Sequence, residues 1–278
     1  MTAADSAWQP YLAAFRSRFM LMLQYRAAAV AGFVTQCWWG GIKVMVLAAF
    51  YRHATAPAAI PLADAITYVW IAQALFALLP WTGDPDLALL VRSGNVAYDR
   101  MRPVDCYGLW YARTLGWLLA RVLPRAALML TAAGLVFPRI GLAAWAWQPP
   151  ATLEAAFWFA LAIALGTLLS AAIIVLVGIG VLASLSDRGI NVLLTPLVVV
   201  LSGNLLPLAL FPDALQAGLR WQPFAALLDT PLRLYFGHLA GASALAAVCT
   251  QAMWLALLVG AGRLLMTRAL ARLQVQGG

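Results

Sequence analysis

Lysine is almost missing from this sequence: seventeen of the eighteen basic residues are arginine, and Lys43 stands alone. A phosphate-binding P-loop needs a glycine-rich turn that ends in Lys-Ser or Lys-Thr. Gly40-Gly41-Ile42-Lys43-Val44 has neither the spacing nor the hydroxyl, and it lies inside an apolar stretch. Nucleotide hydrolysis of the P-loop kind is thereby excluded from this chain. Histidine is nearly as scarce. His53 and His238 lie far apart, and no His-x-x-x-His or Cys/His cluster offers a metal set. Cys37, Cys106 and Cys249 have no paired spacing and read as small buried hydrophobes. Carboxylates almost avoid the apolar stretches, so the proton or sodium relay of a secondary transporter finds no support there. Asp84 and Asp86 come nearest to a carboxylate pair, but they read rather as the solvated ends of a short helix. Ser170 has no base nearby and reads as a packing hydroxyl.

What is present is apolar length. Hydrophobic residues make up 64% of the chain and charged ones 10%, which is membrane rather than soluble composition. The run Leu153 to Leu182 carries no charge after Glu154. A hydrocarbon core of roughly 30 Å needs about 20 apolar residues. The reading is an all-α integral membrane protein, one domain over residues 1–278, with six transmembrane helices.

Span one is expected over Ala27–Phe50, followed by an Ala/Pro-rich loop to Pro61, and span two over Asp64–Trp81. Residues 1–26 read either as an interfacial helix or as an extension of span one; the layout adopted takes the interfacial helix. Arg16, Arg18 and Arg26 interrupt this stretch, so it does not read as a cleaved signal. A charged cytosolic region fills 84–113. Arg113, Trp117, Arg121 and Arg125 recur every four residues and form one helical stripe, expected along the inner interface with an inward turn near Pro124. Span three then ends near Phe137 or near Trp147. Span four is Leu153–Leu182, span five Ile190–Leu206 and span six Leu239–Gly262. The segment 202–237 is broken by Pro207, Pro212, Pro223 and Pro231, so it cannot be one span, and a pair of short re-entrant helices is expected between spans five and six.

Charge placement supports this layout. With both termini inside, thirteen arginines fall on the inner side and four on the outer. Orientation in a membrane explains the net charge of +8 better than nucleic acid does. Lys43 is expected to snorkel outward towards Arg52, with a substrate contact as the alternative. Trp38, Trp39, Trp70 and Phe76 read as pathway-lining aromatics, the three tryptophans alternatively as interface-belt or packing residues.

Two local patterns are more specific. Leu89-Leu90-Val91-Arg92-Ser93-Gly94 precedes Arg102-Pro103-Val104-Asp105 and Tyr111-Ala112-Arg113. Ser202-Gly203-Asn204-Leu205-Leu206-Pro207 leads to Phe211-Pro212, Gln222-Pro223-Phe224, Asp229-Thr230-Pro231 and Tyr235-Phe236-Gly237. With the six-span layout, these resemble the permease subunits of ABC exporters of the ABC-2 type, in the branch with an Arg-Pro-Val-Asp cytosolic signature. The resemblance runs from about Arg16 to Arg268.

The resemblance implies a permease of a bacterial cytoplasmic membrane without cofactor of its own, ATP and Mg belonging to a separate P-loop ATPase. The second permease is another copy or a homologue, and membrane lipid surrounds both; no nucleic acid is involved. Asp86, Leu87, Leu89, Leu90 and Arg92, followed by Arg100, Arg102, Pro103 and Asp105, would form the coupling helix and its exit. Asp187 and Arg188 would add a smaller contact. Trp38, Trp39, Trp70, Phe76 and Asn204 would line the pathway of a hydrophobic or amphiphilic substrate, a lipophilic cation fitting an aromatic cavity as well as a lipid or apolar peptide does. Pro207, Phe211, Pro212, Pro223, Phe224 and Pro231 would belong to an outer gate. The competing classes are a secondary transporter, a membrane scaffold and an intramembrane lipid enzyme; the last would need a polar cluster at one depth.

Overall fold

A computed structural model describes residues 3–53 and 60–272, and the Ala/Pro-rich connection at 54–59 lies outside the described residues. Among the described residues every regular element is helical. In chain order these are α1 (Ala3–Leu23), α2 (Arg26–His53), α3 (Leu62–Ala74), α4 (Pro85–Arg92), α5 (Val96–Arg100) and α6 (Cys106–Thr131). There follow α7 (Phe137–Arg139), α8 (Leu153–Ser184), α9 (Arg188–Leu201), α10 (Asp213–Trp221), α11 (Asp229–Tyr235) and α12 (Gly241–Ala271). Among the described residues four helices are long and apolar enough to cross a membrane: Arg26–His53, Cys106–Arg139, Leu153–Ser184 and Gly241–Ala271.

The bundle is organised around α8. Its sequence is apolar on all sides, as suits a helix with protein neighbours all round, and Leu169, Ala171, Ala172 and Val175 are fully buried. Thr152 starts it as an N-cap, accepting from Ala155 N at 3.0 Å. It stops at Leu185, the one described non-glycine residue with positive φ (59°). Against α8 pack α12, α11, α6 and α4.

Two of the expected spans have shorter helices. Where span two was expected, α3 ends at Ala74 and gives way to a 3₁₀ turn at Phe76–Leu78 and then to extended chain. The break survives because distant polar side chains satisfy its backbone. Ser170 donates to Leu78 O, Thr195 donates to Trp81 O at 2.9 Å, and Gly83 N donates to Asn191 Oδ1 at 3.1 Å. Irregular backbone inside a membrane bundle requires such partners. Ser170 is thus the packing hydroxyl that its surroundings suggested. Where span five was expected, α9 runs for fourteen residues.

The expected inward turn at Pro124 is absent. Pro124 lies within α6, and the helix continues through a π turn at Ala132–Val136 into α7, giving 34 residues from Cys106 to Arg139. One missing N–H leaves the ladder on either side intact, and neighbouring helices hold the segment straight enough to continue.

The N-terminal segment is a helix separate from α2, broken at Gln24 and Tyr25. It lies on α6 along a stripe of small residues, Gly108, Ala112, Gly116 and Ala120. A Cβ on Gly116 would stand 2.5 Å from Phe15 O, so only glycine lets the two backbones approach this closely.

The segment 202–237 is divided as its prolines demand. A 3₁₀ turn at Leu208–Leu210, α10, a second 3₁₀ turn at Ala225–Leu227 and α11 follow one another. Pro212 precedes α10 and Pro231 sits in the first turn of α11, where a missing N–H costs nothing. The halves differ in burial: α11 is buried against α8, whereas α10 buries no residue.

Candidate coupling surface

The charged region 84–113 folds into two short helices and the start of α6. Asp84 caps α4, its Oδ1 accepting from Asp86 N at 3.0 Å, and Pro85 occupies the first helical position. Leu87, Ala88 and Val91 recur on one face and are buried in a cluster with Trp110, Ile179 and Leu182. The opposite face presents Asp86, Arg92 and Leu89, the last 60% exposed. This corrects the expected apolar anchor of Leu87, Leu89 and Leu90. Leu87 is 2% exposed and holds α4 to the bundle, so only Leu89 and the half-buried Leu90 can reach a partner.

Ion pairs fix this helix from both sides. Arg18 of α1 binds Asp84 at 3.1 Å and also Asp86. Burial pushes the Asp84 carboxyl above the ordinary carboxylate range, and the adjacent Arg18 guanidinium offsets part of that rise. At the other end Arg92 meets Asp187 at 3.0 Å, tying α4 to the turn between α8 and α9. The two regions expected to contact an ATPase separately are therefore joined to each other. Asp99, 2% exposed, accepts from Arg113 at 2.5 and 3.1 Å and from Trp110 Nε1 at 3.2 Å. Arg102 stands 3.7 Å from the same carboxylate. Asp105 accepts from Gly108 N at 2.8 Å and caps α6, while its own N–H donates to Tyr11 Oη at 3.0 Å. Its carboxylate is thus partly occupied by the helix it starts.

What remains open to solvent is a mixed surface. Leu89, Tyr98 (63% exposed) and Met101 (72% exposed) stand among the exposed Arg92, Arg100, Arg102 and Arg188. Beside it, between α1, α4 and the 102–104 turn, lies a groove of about 700 Å³ lined by Arg18, Asp86, Leu90, Arg102 and Pro103. Apolar anchors inside a polar rim are the usual anatomy of a protein docking surface.

The expected pathway residues are not brought together. Trp38 and Trp39 point outward from α2, 70% and 56% exposed. Trp70 is corrected to a packing residue: it is 1% exposed, and its Nε1 donates to Trp145 O at 2.6 Å. Phe76 stacks on Trp81 at 4.4 Å between ring centres. Lys43 Nζ donates to Asn204 O at 2.7 Å, a partner supplied by the 202–237 segment and not by Arg52. Around Asn204, Tyr68 donates to Gly203 O at 2.9 Å and Leu208 N donates to Asp229 Oδ1 at 3.0 Å. Of the expected gate residues, Pro207 and Pro231 are buried, Phe211, Pro223 and Phe224 half-buried, and Pro212 exposed.

The sequence places Arg18 in the N-terminal helix, Asp84 at the end of a short helix and Arg113 on an interfacial stripe, but it does not pair Arg18 with Asp84 or Arg113 with Asp99. An acid directly before Pro85 and another before the Cys106 helix are N-cap signals legible in the sequence. The partners Arg18 and Arg113 carry no such local signal. No group of three or more His, Cys, Asp or Glu that could hold a metal occurs among the described residues. The chain matches no protein-family model, no curated protein and no solved structure.

Proposed function

We propose that this chain is the transmembrane subunit of an ATP-driven exporter of the ABC-2 type, and that α4 with α5 is its contact with a separate ATPase. The observation that carries this reading is α4 itself. A short helix with one buried face, one exposed leucine and ion pairs to α1 and to the α8–α9 turn transmits a push on Leu89 to several elements at once. In this reading the ATPase lies on the cytosolic side, both termini face it, and the membrane is the bacterial cytoplasmic one.

Six crossings follow if α3 and α9 complete the count. Thirteen residues of α3 rise about 20 Å, and the 3₁₀ turn after it adds about 6 Å, close to the roughly 30 Å required. The segment 202–237 then dips in from the far side, with α11 as its inner part and α10 as its cover. Trp38 and Trp39, exposed on α2, face either lipid or the second permease. The substrate class stays hydrophobic or amphiphilic.

Leu89→Asp is the test, because the Leu89 side chain is 60% exposed and outside the buried cluster that holds α4. Co-purification of the permease with its ATPase from native membrane is expected to fall at least tenfold, the usual effect of removing a hot-spot residue, with yield and helicity unchanged. Wild-type co-purification would remove this surface from the reading. Introduced cysteines at 187 and 148, labelled in the same membranes, are expected on the ATPase side and the opposite side respectively.

A further inference from the structure

We propose that a groove between α1, α6 and α12 holds one amine-bearing zwitterionic phospholipid, of the phosphatidylethanolamine type, taken from the leaflet nearest α4. The inference needs membrane insertion and is independent of the ATPase partner.

The groove measures about 720 Å³ and is open to the surface. Its walls are Ala112 and Leu115 of α6 and Ala256 and Val259 of α12, and its mouth carries Asp105 and Arg263. From Asp105 to Leu115 the α6 backbone rises about 15 Å, half of a hydrocarbon core of roughly 30 Å. The groove is therefore one leaflet deep. It seats a headgroup and one acyl chain, the second chain staying in the bilayer.

Charge at the mouth selects the headgroup. Asp105 uses one oxygen on Gly108 N, and no cationic side chain pairs with its carboxylate among the described residues. Arg263 has no carboxylate partner among the described residues either, and it lies 5.9 Å from the centre of the Tyr107 ring. Tyr11 accepts from Asp105 N, which leaves its own O–H free to donate. Tyr107 is 2% exposed, and its hydroxyl is buried without a partner. A carboxylate and a guanidinium, neither paired with an opposite charge among the described residues, thus stand at one end of an apolar channel. An ammonium and a phosphate on one lipid complement both. Trp8, 76% exposed at the same mouth, adds an aromatic face for the ammonium. A lipid with phosphate and no amine would answer Arg263 alone and leave the Asp105 carboxylate without a cation beside the lipid's anion.

The test uses the full chain in vesicles of equal phosphatidylethanolamine and phosphatidylglycerol, extracted in mild detergent, with retained lipid counted by native mass spectrometry. One phosphatidylethanolamine per chain is expected, enriched roughly tenfold over phosphatidylglycerol, as charge-assisted hydrogen bonds to one headgroup imply. Asp105→Asn keeps an N-cap acceptor and is expected to abolish the enrichment while lipid is still retained. Arg263→Gln is expected to lose retention of both lipids, and Ala256→Trp, which fills the channel, to do the same. Equal retention of the two lipids by the unaltered chain would overturn the proposal. So would enrichment that survives Asp105→Asn, or retention that survives Arg263→Gln.

Discussion

At the end of the bundle that carries α4 and α5, charged side chains meet charged side chains: Arg18 with Asp84 and Asp86, Arg92 with Asp187, Arg113 with Asp99. At the end that carries Ser202–Gly237, polar side chains mostly meet backbone groups instead, apart from the Asp213–Gln216–Arg220 chain along α10. Lys43 binds Asn204 O, Tyr68 binds Gly203 O, Gln222 donates to Leu201 O at 2.7 Å, and Gln251 donates to Ala226 O at 2.6 Å. The difference follows from the chain in each place. Residues 84–105 supply acids and arginines and form helices that satisfy their own backbone. The proline-broken segment leaves carbonyls that its neighbours must cover. Ion pairs hold whole helices in fixed relation, whereas side-chain-to-carbonyl bonds hold individual turns. The first arrangement suits a lever and the second suits a cap.

Asp99 is where the ion-paired end breaks most completely. It receives two bonds from Arg113 and one from Trp110 while almost wholly buried. Asp99→Ala strands the half-buried Arg113 and is expected to destabilise the fold by about 3–5 kcal/mol, the cost of breaking a buried pair by removing one partner. Reversible unfolding in mixed detergent and sodium dodecyl sulfate measures it. Asp99→Asn, which keeps hydrogen-bond acceptance without the charge, is expected to fall between that variant and the parent. A loss below about 1 kcal/mol, the value of a solvent-exposed pair, would show that this end is held by apolar packing alone.

Gly203 is the corresponding point at the other end. Its φ is +84°, and a Cβ there would stand 2.4 Å from Tyr68 Oη. Gly203→Ala is expected to cost about 2–3 kcal/mol, from the left-handed backbone and the displaced phenol. Tyr68→Phe alone removes one hydrogen bond, worth about 1 kcal/mol. Because it also removes the clashing oxygen, the double variant is expected to lose less than the two single losses added together. Strict additivity in the double-mutant cycle would mean that Tyr68 moves aside freely and that this turn is not held through Gly203.

How far the sequence reveals each end also differs. The long helices are legible because apolar length beyond about 20 residues has few other readings. Asp84-Pro85 marks the start of α4 for the same local reason. The face of α4 was legible in principle, since Leu87, Ala88 and Val91 share one side of a helix; reading the leucines together hid that Leu87 and Leu89 point apart. The break after Ala74 was not legible. Ser170, Asn191 and Thr195, which make it tolerable, lie about a hundred positions downstream in the chain, and nothing local to Leu75 announces them. Lys43 misled for a related reason: its acceptor is a carbonyl at Asn204, exposed only because that turn is irregular.

The smallest stability effect belongs to the pair that joins α4 to the α8–α9 turn, and there the lever reading is most exposed to test. Arg92 and Asp187 are 47% and 30% exposed, so their attraction is screened and the entropy of holding two side chains offsets much of it. Asp187→Asn and Arg92→Gln are each expected to change unfolding free energy by less than about 1 kcal/mol, against the larger losses at Asp99 and Gly203. Under the exporter reading proposed above, transport per ATP is a separate quantity. If the pair carries motion from α4 to α8 and α9, Asp187→Asn leaves the ATPase docked through Leu89 and lowers the ratio of substrate exported to ATP consumed. Exchanging the two charges, Arg92→Asp with Asp187→Arg, restores attraction and is expected to recover that ratio. Unaltered transport per ATP in Asp187→Asn would mean that α4 passes its motion through the buried Leu87 face instead, and the ion pair would then be no part of the lever.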